Sequence, residues 1–326
     1  MDAMIEAHVL PQLRQRRHQL EETVRRAPRA VELQRLLGEV DAAIARVDAG
    51  TYGLCATCHD PIETDRLLAD PLVCVCIDHL SESEQRALER DLELASRIQR
   101  TLSAPRELSA AGWHLQLHVE PAGVVGGDWC DVFEPSPGSG LIFVLGDVSG
   151  KGLAAAMLMT HLHATFRSLA AEELPVSGLV ERANQVFRSS TLSPYFATLV
   201  CGRLSADGTA EICNAGHWPP LVLGRRGVTQ VPPTGLPVGT FASAHYSSQK
   251  VELGPGDHIL LYTDGVTEAR NAGELEYGTE RIERLAAGRT WADPGALLAA
   301  VRSDLATHLD GVTPQDDLTL LAIGRD

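Results

Sequence analysis

The chain has 326 residues, of which 44% are hydrophobic and 22% charged, and its formal net charge is −15. That length accommodates one large domain and a smaller one with buried cores, and the negative balance argues against general nucleic-acid affinity, which needs basic surface to displace counterions. No apolar run reaches the roughly 20 residues that span a bilayer, and Met1-Asp2-Ala3-Met4-Ile5-Glu6 carries no signal-peptide pattern, so the expectation is a cytoplasmic protein without membrane contact.

In chain order, a first helix is expected over about 5–26, with Arg14, Arg16, Arg17, Arg25 and Arg26 on a solvated face. Ala27-Pro28 breaks it from a second helix that starts near Val31 and keeps apolar residues at helical spacing to Val47. Next comes Cys55-x2-Cys58-x17-Cys76-x2-His79. Three thiolates and one imidazole at this spacing suit one tetrahedral, structural Zn²⁺, and a cytoplasmic setting favours metal over disulfides. Cys74 is close enough in sequence to compete as a ligand. Cys201 and Cys213 sit in β-like runs and read as small buried hydrophobes. Residues 30–80 resemble the zinc-finger region of DksA/TraR-type proteins, some of which enter the RNA polymerase secondary channel. The resemblance implies a helical zinc-finger module over 1–80; the arm is short and arginine-rich and shows no acidic tip.

A linker is expected over 81–107. Ser81 and Glu84 form a capping box, Leu88, Leu92, Ala95 and Leu102 fall on a coiled-coil-like seam with Gln99 in its polar slot, and Pro105 ends the helix. Such a seam suits either a homodimer or packing on the domain that follows.

Four acidic clusters mark the remainder: Gly126-Gly127-Asp128 with Asp131, Gly146-Asp147-Val148-Ser149-Gly150-Lys151-Gly152, Thr263-Asp264-Gly265, and Asp316-Asp317-Leu318-Thr319. The last three adjoin β-like stretches. Carboxylates gathered at strand ends are the makings of a hard-cation site, because Mg²⁺ and Mn²⁺ favour oxygen ligands and packed like charges need a cation to neutralise them. Ala197 to Leu204, a Ser205-Ala206-Asp207-Gly208 turn and Thr209 to Cys213 read as a hairpin, and Gly152 to Ala170 as a long helix.

With Asn214-Ala215-Gly216-His217 and the lead-in Ala95-Ser96-Arg97-Ile98-Gln99, these motifs in this order resemble the SpoIIE/RsbU branch of PPM-type protein serine/threonine phosphatases over 108–326. The resemblance implies an α+β fold, an αββα sandwich with two Mn²⁺ or Mg²⁺ ions at one end. Asp147 would bridge both ions, joined by the Val148 carbonyl. Asp264 and Asp316 would hold one ion, and Asp128 the other, directly or through water. Asp131, Asp317 and Lys151 are secondary candidates. Many eukaryotic relatives carry a histidine two residues after the bridging aspartate, where this chain has Ser149, so the proton donor to the leaving group is unassigned. By resemblance the substrate is a phosphorylated anti-anti-sigma (STAS) protein in bacterial partner switching. The alternative is a non-catalytic or polymerase-binding regulator with a phosphatase-like domain.

Overall fold

The switch from helical spacing to strand-like runs near residue 105 is visible in the computed structural model, which describes residues 3–26, 30–172, 174–191, 195–225, 227–287 and 290–326. Two compact units divide within one helix, at Met1–Asp91 and Leu92–Asp326. In the first, α1 (Ala3–Arg26) and α2 (Val31–Asp48) pack through Val9, Leu13, Val40 and Ala43, and the same core takes in Tyr52, Cys55 and Cys76. The expected break at Ala27-Pro28 lies outside the described residues. A short helix, α3 (Thr64–Ala69), and a 3-10 turn at Ile77–His79 complete the unit. Tyr52 Oη donates to Pro71 O at 3.0 Å, and Arg46 reaches the carbonyls of Leu72 and Val73 at 3.2 Å each, which ties the knuckle to α2.

Helix α4 (Glu82–Leu102) begins at the expected capping box. Ser81 N donates to Glu84 Oε2 at 2.8 Å, and Glu84 N donates back to Ser81 Oγ at 3.4 Å, so each side chain satisfies a backbone donor at the helix start.

The second unit is an α+β sandwich of two antiparallel sheets. Its strands are β1 (Glu107–Ala110), β2 (Trp113–Glu120), β3 (Trp129–Phe133), β4 (Leu141–Val148), β5 (Ala197–Leu204), β6 (Thr209–Ala215), β7 (Leu221–Gly224), β8 (Gly227–Gln230), β9 (Gln249–Glu252), β10 (His258–Tyr262) and β11 (Leu318–Arg325). One sheet has the order β1-β2-β11-β10-β7-β8 and the other β3-β4-β5-β6-β9. The helices are α5 (Gly152–Leu169), α6 (Val176–Ser190), α7 (Asp264–Thr267), α8 (Thr279–Ala287) and α9 (Pro294–Leu309). Three buried layers follow from strands that are apolar on both faces. Leu115, Leu117, Leu145, Leu261 and Ile323 fill the space between the sheets. Met159, Phe166 and Phe187 of α5 and α6 cover the five-stranded sheet through Val144 and Leu199. Ile282, Leu297 and Val301 of α8 and α9 cover the six-stranded sheet through Leu260 and Leu320.

The expected hairpin forms, with Leu204 opposite Ala210 and Gly208 at φ +92° in its turn, a conformation glycine adopts without strain. Cys201 and Cys213 face each other in this hairpin and are fully buried, as expected of small apolar side chains. No helix among the described residues is long and apolar enough to cross a membrane.

Candidate active site

The register of the strands gathers the acids. Trp129 pairs with Gly146, so Asp128 precedes β3 where Asp147 ends β4. Tyr262 pairs with Leu320, so Thr263 and Asp264 leave β10 beside Asp316 and Asp317, which enter β11. The two sheets are joined at this end by Thr263, whose Oγ1 donates to Asp128 Oδ2 at 2.8 Å. Sequence patterning gave Thr263 no role; its only signal was a hydroxyl directly before an acid.

Asp147, Asp264 and Asp316 are half-buried and line one cleft with Lys151, His217 and Trp218, enclosing a cavity of about 500 Å³. Asp128 lies deeper, at 6% exposed. Burial and the charges of Asp264, Asp316 and Asp317 push the Asp147 carboxyl up to about 8. Burial, then the Asp147 charge, raises Asp128 well above the ordinary carboxylate range, against the opposing hydrogen bond of Thr263. Asp264 is raised by burial and by Asp316. Carboxyl groups held in this state ionise favourably only when positive charge is supplied. Lys151 gives part of it, with Nζ 2.7 Å from Asp316 Oδ2 and donating to Gln315 O at 3.0 Å.

The arrangement fits divalent cations by a second test. Gly127 has no side chain where a Cβ would lie 2.9 Å from Val148 O and 3.1 Å from Asp147 Oδ1. Glycine therefore leaves room beside the two oxygens expected to bind, and every donor of the set is a hard oxygen, which suits Mg²⁺ or Mn²⁺.

Asp317 and Asp131 are engaged differently. Asp317 accepts from the backbone N–H of Ala122 and of Gly127 at 2.8 Å each, and of Asp128 at 3.4 Å, fastening the loop before β3 to the start of β11. Gly126 is needed there, because a Cβ would fall 2.0 Å from Asp317 Oδ2. Asp131 lies outside the cleft lining. It is fully buried on β3 and takes a two-pronged pair from Arg167 of α5 at 2.6 and 2.7 Å, with His163 Nε2 at 3.2 Å. Burial alone would raise its carboxyl, but the hydrogen bonds of His163 and Arg167 and their charges outweigh burial and hold it below the ordinary range.

His217 is 3% exposed and pushed down to about 4 by burial, so it is neutral at physiological pH. Its Nε2–H donates to Tyr262 O at 3.2 Å, which leaves Nδ1 to accept from Thr198 Oγ1 at 2.8 Å. Gln99, read from sequence as the polar slot of a seam, turns to the loop instead: Nε2 donates to Gly126 O at 2.8 Å and Oε1 accepts from Gly126 N at 3.2 Å. The seam residues Leu88, Leu92, Ala95 and Leu102 are all half-buried.

In the first unit, Cys55, Cys58, Cys76 and His79 have their ligand atoms all within 4.8 Å of one another, the one such set of three or more among the described residues. Cys58 Sγ is 3.7 Å from Cys76 Sγ, which is 3.1 Å from His79 Nδ1. These spacings suit the edges of a zinc tetrahedron with bonds of about 2.0–2.3 Å. Burial opposes ionisation of Cys55, but backbone N–H groups from Cys58, Cys76 and Thr57 outweigh it and bring the thiol down to about 6, which favours the metal-binding thiolate. Cys74 is exposed and lies outside the set.

Comparison with known proteins extends what the geometry gives. IcfG of Synechocystis sp. is 28% identical over 244 residues, covering 66% of this chain and 38% of that protein. The phosphoserine phosphatase RsbU of Bacillus subtilis is 24% identical over 189 residues, covering 57% of this chain and 56% of that one. The chain thus spans about two-fifths to just over half the length of these curated relatives. The solved SiaA-PP2C domain of Pseudomonas aeruginosa superposes with a TM-score of 0.65 at 20% identity, covering 75% of this chain and 98% of that domain, which establishes the shared sandwich. The profile of the Stage II sporulation protein E (SpoIIE) family matches residues 137–326, more than half the chain and three of its four acidic clusters, and the chain belongs to that family.

Proposed function

We propose that the chain is a Mn²⁺- or Mg²⁺-dependent protein serine/threonine phosphatase whose substrate is a phosphorylated anti-anti-sigma protein of the STAS class. The observation that carries this reading is the convergence of Asp128, Asp147, Asp264 and Asp316 from four strand ends at one end of the sandwich, with Asp147 raised to about 8. Membership of the SpoIIE family and the similarity to RsbU, a phosphoserine phosphatase, support it.

Asp147 and the Val148 carbonyl would serve two ions, Asp264 and Asp316 one of them, and Asp128 the other. Bound there, such ions supply a water of lowered pKa and offset charge on the phosphoryl oxygens. The protein's own part is positioning. Thr263 orients Asp128, Asp317 fixes the loop that carries it, and neutral His217 pins the cleft wall without adding charge. Lys151, drawn to Asp316, offers a positive group at the cleft mouth that a substrate phosphate can recruit. The reading assigns the first unit, with one structural Zn²⁺ on Cys55, Cys58, Cys76 and His79, to regulation of this site. The four clustered ligand atoms support the zinc.

The test is release of inorganic phosphate from a serine-phosphorylated STAS-domain protein by the full chain with Mn²⁺. Release at a rate well above that from an unrelated phosphoprotein is expected. Equal rates on both would remove the STAS assignment, and no release from either would remove the phosphatase.

A further inference from the structure

Two large aromatic side chains stand partly in solvent on the wall of the acidic cleft. Phe196 is 38% exposed and Trp218 36% exposed, and both line the cavity that contains Asp147, Asp264 and Asp316. A single exposed aromatic needs no explanation. The backbone that carries these two, however, is held by hydrogen bonds. Ser149, two residues beyond Asp147, donates its N–H to Phe196 O at 2.9 Å, and its Oγ accepts from Phe196 N at 3.0 Å. Trp218 follows His217, whose backbone N–H donates to Asn214 Oδ1 at 2.8 Å while its ring is fixed between Thr198 and Tyr262. The framework that positions the acids therefore also positions the aromatics. At about 500 Å³ the cavity falls within the roughly 300–1,000 Å³ of sites that take drug-sized ligands, more than a phosphate group fills by itself.

We propose that Phe196 and Trp218 form a specificity wall that takes a large apolar side chain adjacent to the phosphoserine of a protein substrate. This rests on reading the acidic cleft as a phosphoprotein phosphatase site. The chemistry selects the occupant. Partly exposed rings gain from covering an aliphatic neighbour, because apolar surface on both partners then leaves water. Glycine leaves the rings in water and gains nothing.

The test uses the full chain with Mn²⁺ and two phosphoserine peptides, identical except that one has leucine and the other glycine on both sides of the phosphoserine. A ratio of kcat/KM at least about tenfold in favour of the leucine peptide is expected, the order of burying one aliphatic side chain. In Trp218→Ala and in Phe196→Ala that ratio should fall to within about threefold. Leu275→Ala, which removes an apolar side chain 66% exposed and outside the cleft lining, should keep it. A wild-type ratio near one, or a ratio that survives both aromatic substitutions, overturns the wall. Binding of the same peptides as non-hydrolysable phosphonates separates the two levels of the reading. Leucine-selective binding lost in Trp218→Ala, without turnover of either phosphopeptide, supports the wall and sinks the phosphatase. Turnover without selectivity does the reverse.

Discussion

At the scale of residues, the site depends on what two glycines and one buried carboxylate leave room for. Gly126 and Gly127 let the loop before β3 close on Asp317 and Asp147, and any Cβ would meet those oxygens. Asp131, three residues after Asp128, holds β3 to α5 through Arg167 and His163. Its folded-state carboxyl lies below its ordinary value of about 3.9, so the stabilisation it brings is full above that pH and is lost as pH falls through the lower folded value. Asp131→Asn should therefore lower stability by about 2 kcal/mol at pH 7, a figure discounted because the Arg167 side chain is 45% exposed. The difference from the wild type should shrink below about pH 4. Thermal unfolding from pH 7 to pH 3 checks this, and a gap that persists unchanged in acid would contradict it. Sequence patterning singled out Asp131 and Asp317 as acids near the site but could not tell their tasks. Each task is fixed by a partner distant in sequence, Arg167 for one and the Ala122–Asp128 loop for the other.

At the scale of elements, the legible parts were those governed by local chemistry. The capping box at Ser81 and Glu84, the turn before Thr209 and the helix opening at Gly152 each depend on neighbours within a few residues. Helix α4 was legible in extent but not in orientation, because a seam at heptad-like spacing does not say what covers it. Gln99 points to the answer, as its amide holds both backbone groups of Gly126. Through that loop α4 reaches Asp128, so Gln99→Ala should raise the Mn²⁺ concentration for half-maximal turnover by roughly tenfold, as loss of a group supporting a ligand does, without changing the fold. Metal titrations of activity on both proteins, with circular dichroism as the control, make the comparison. Superimposable titrations would mean that α4 does not bear on the site.

At the scale of the whole molecule, the chain has two units with separate cores, one organised around a Cys/His cluster and one around the paired sheets. Ordered motifs revealed the second unit, because carboxylates at strand ends keep their sequence signature wherever the sheets bring them. The aromatic wall stayed hidden, since Phe196 and Trp218 lie in ordinary-looking loops and only the closure of β5 and β6 beside β4 sets them at the cleft. Separate cores imply separate stabilities. Scanning calorimetry should show two transitions, and Cys55→Ser with Cys58→Ser should abolish the one belonging to the first unit along with its zinc, leaving the other unmoved. A single transition that moves as a whole in the double variant would show the units to be thermodynamically one.

The central claim is that the four strand-end carboxylates make a metal-dependent phosphatase, and one assay bears on it most directly: hydrolysis of a phosphoserine peptide by the full chain and by Asp147→Asn, each with Mn²⁺ added and then chelated. Turnover that appears with Mn²⁺, disappears on chelation and is reduced at least about a thousandfold in Asp147→Asn, with folding intact, is the expected result. Turnover that persists in chelator, or an Asp147→Asn protein as active as the wild type, would contradict it.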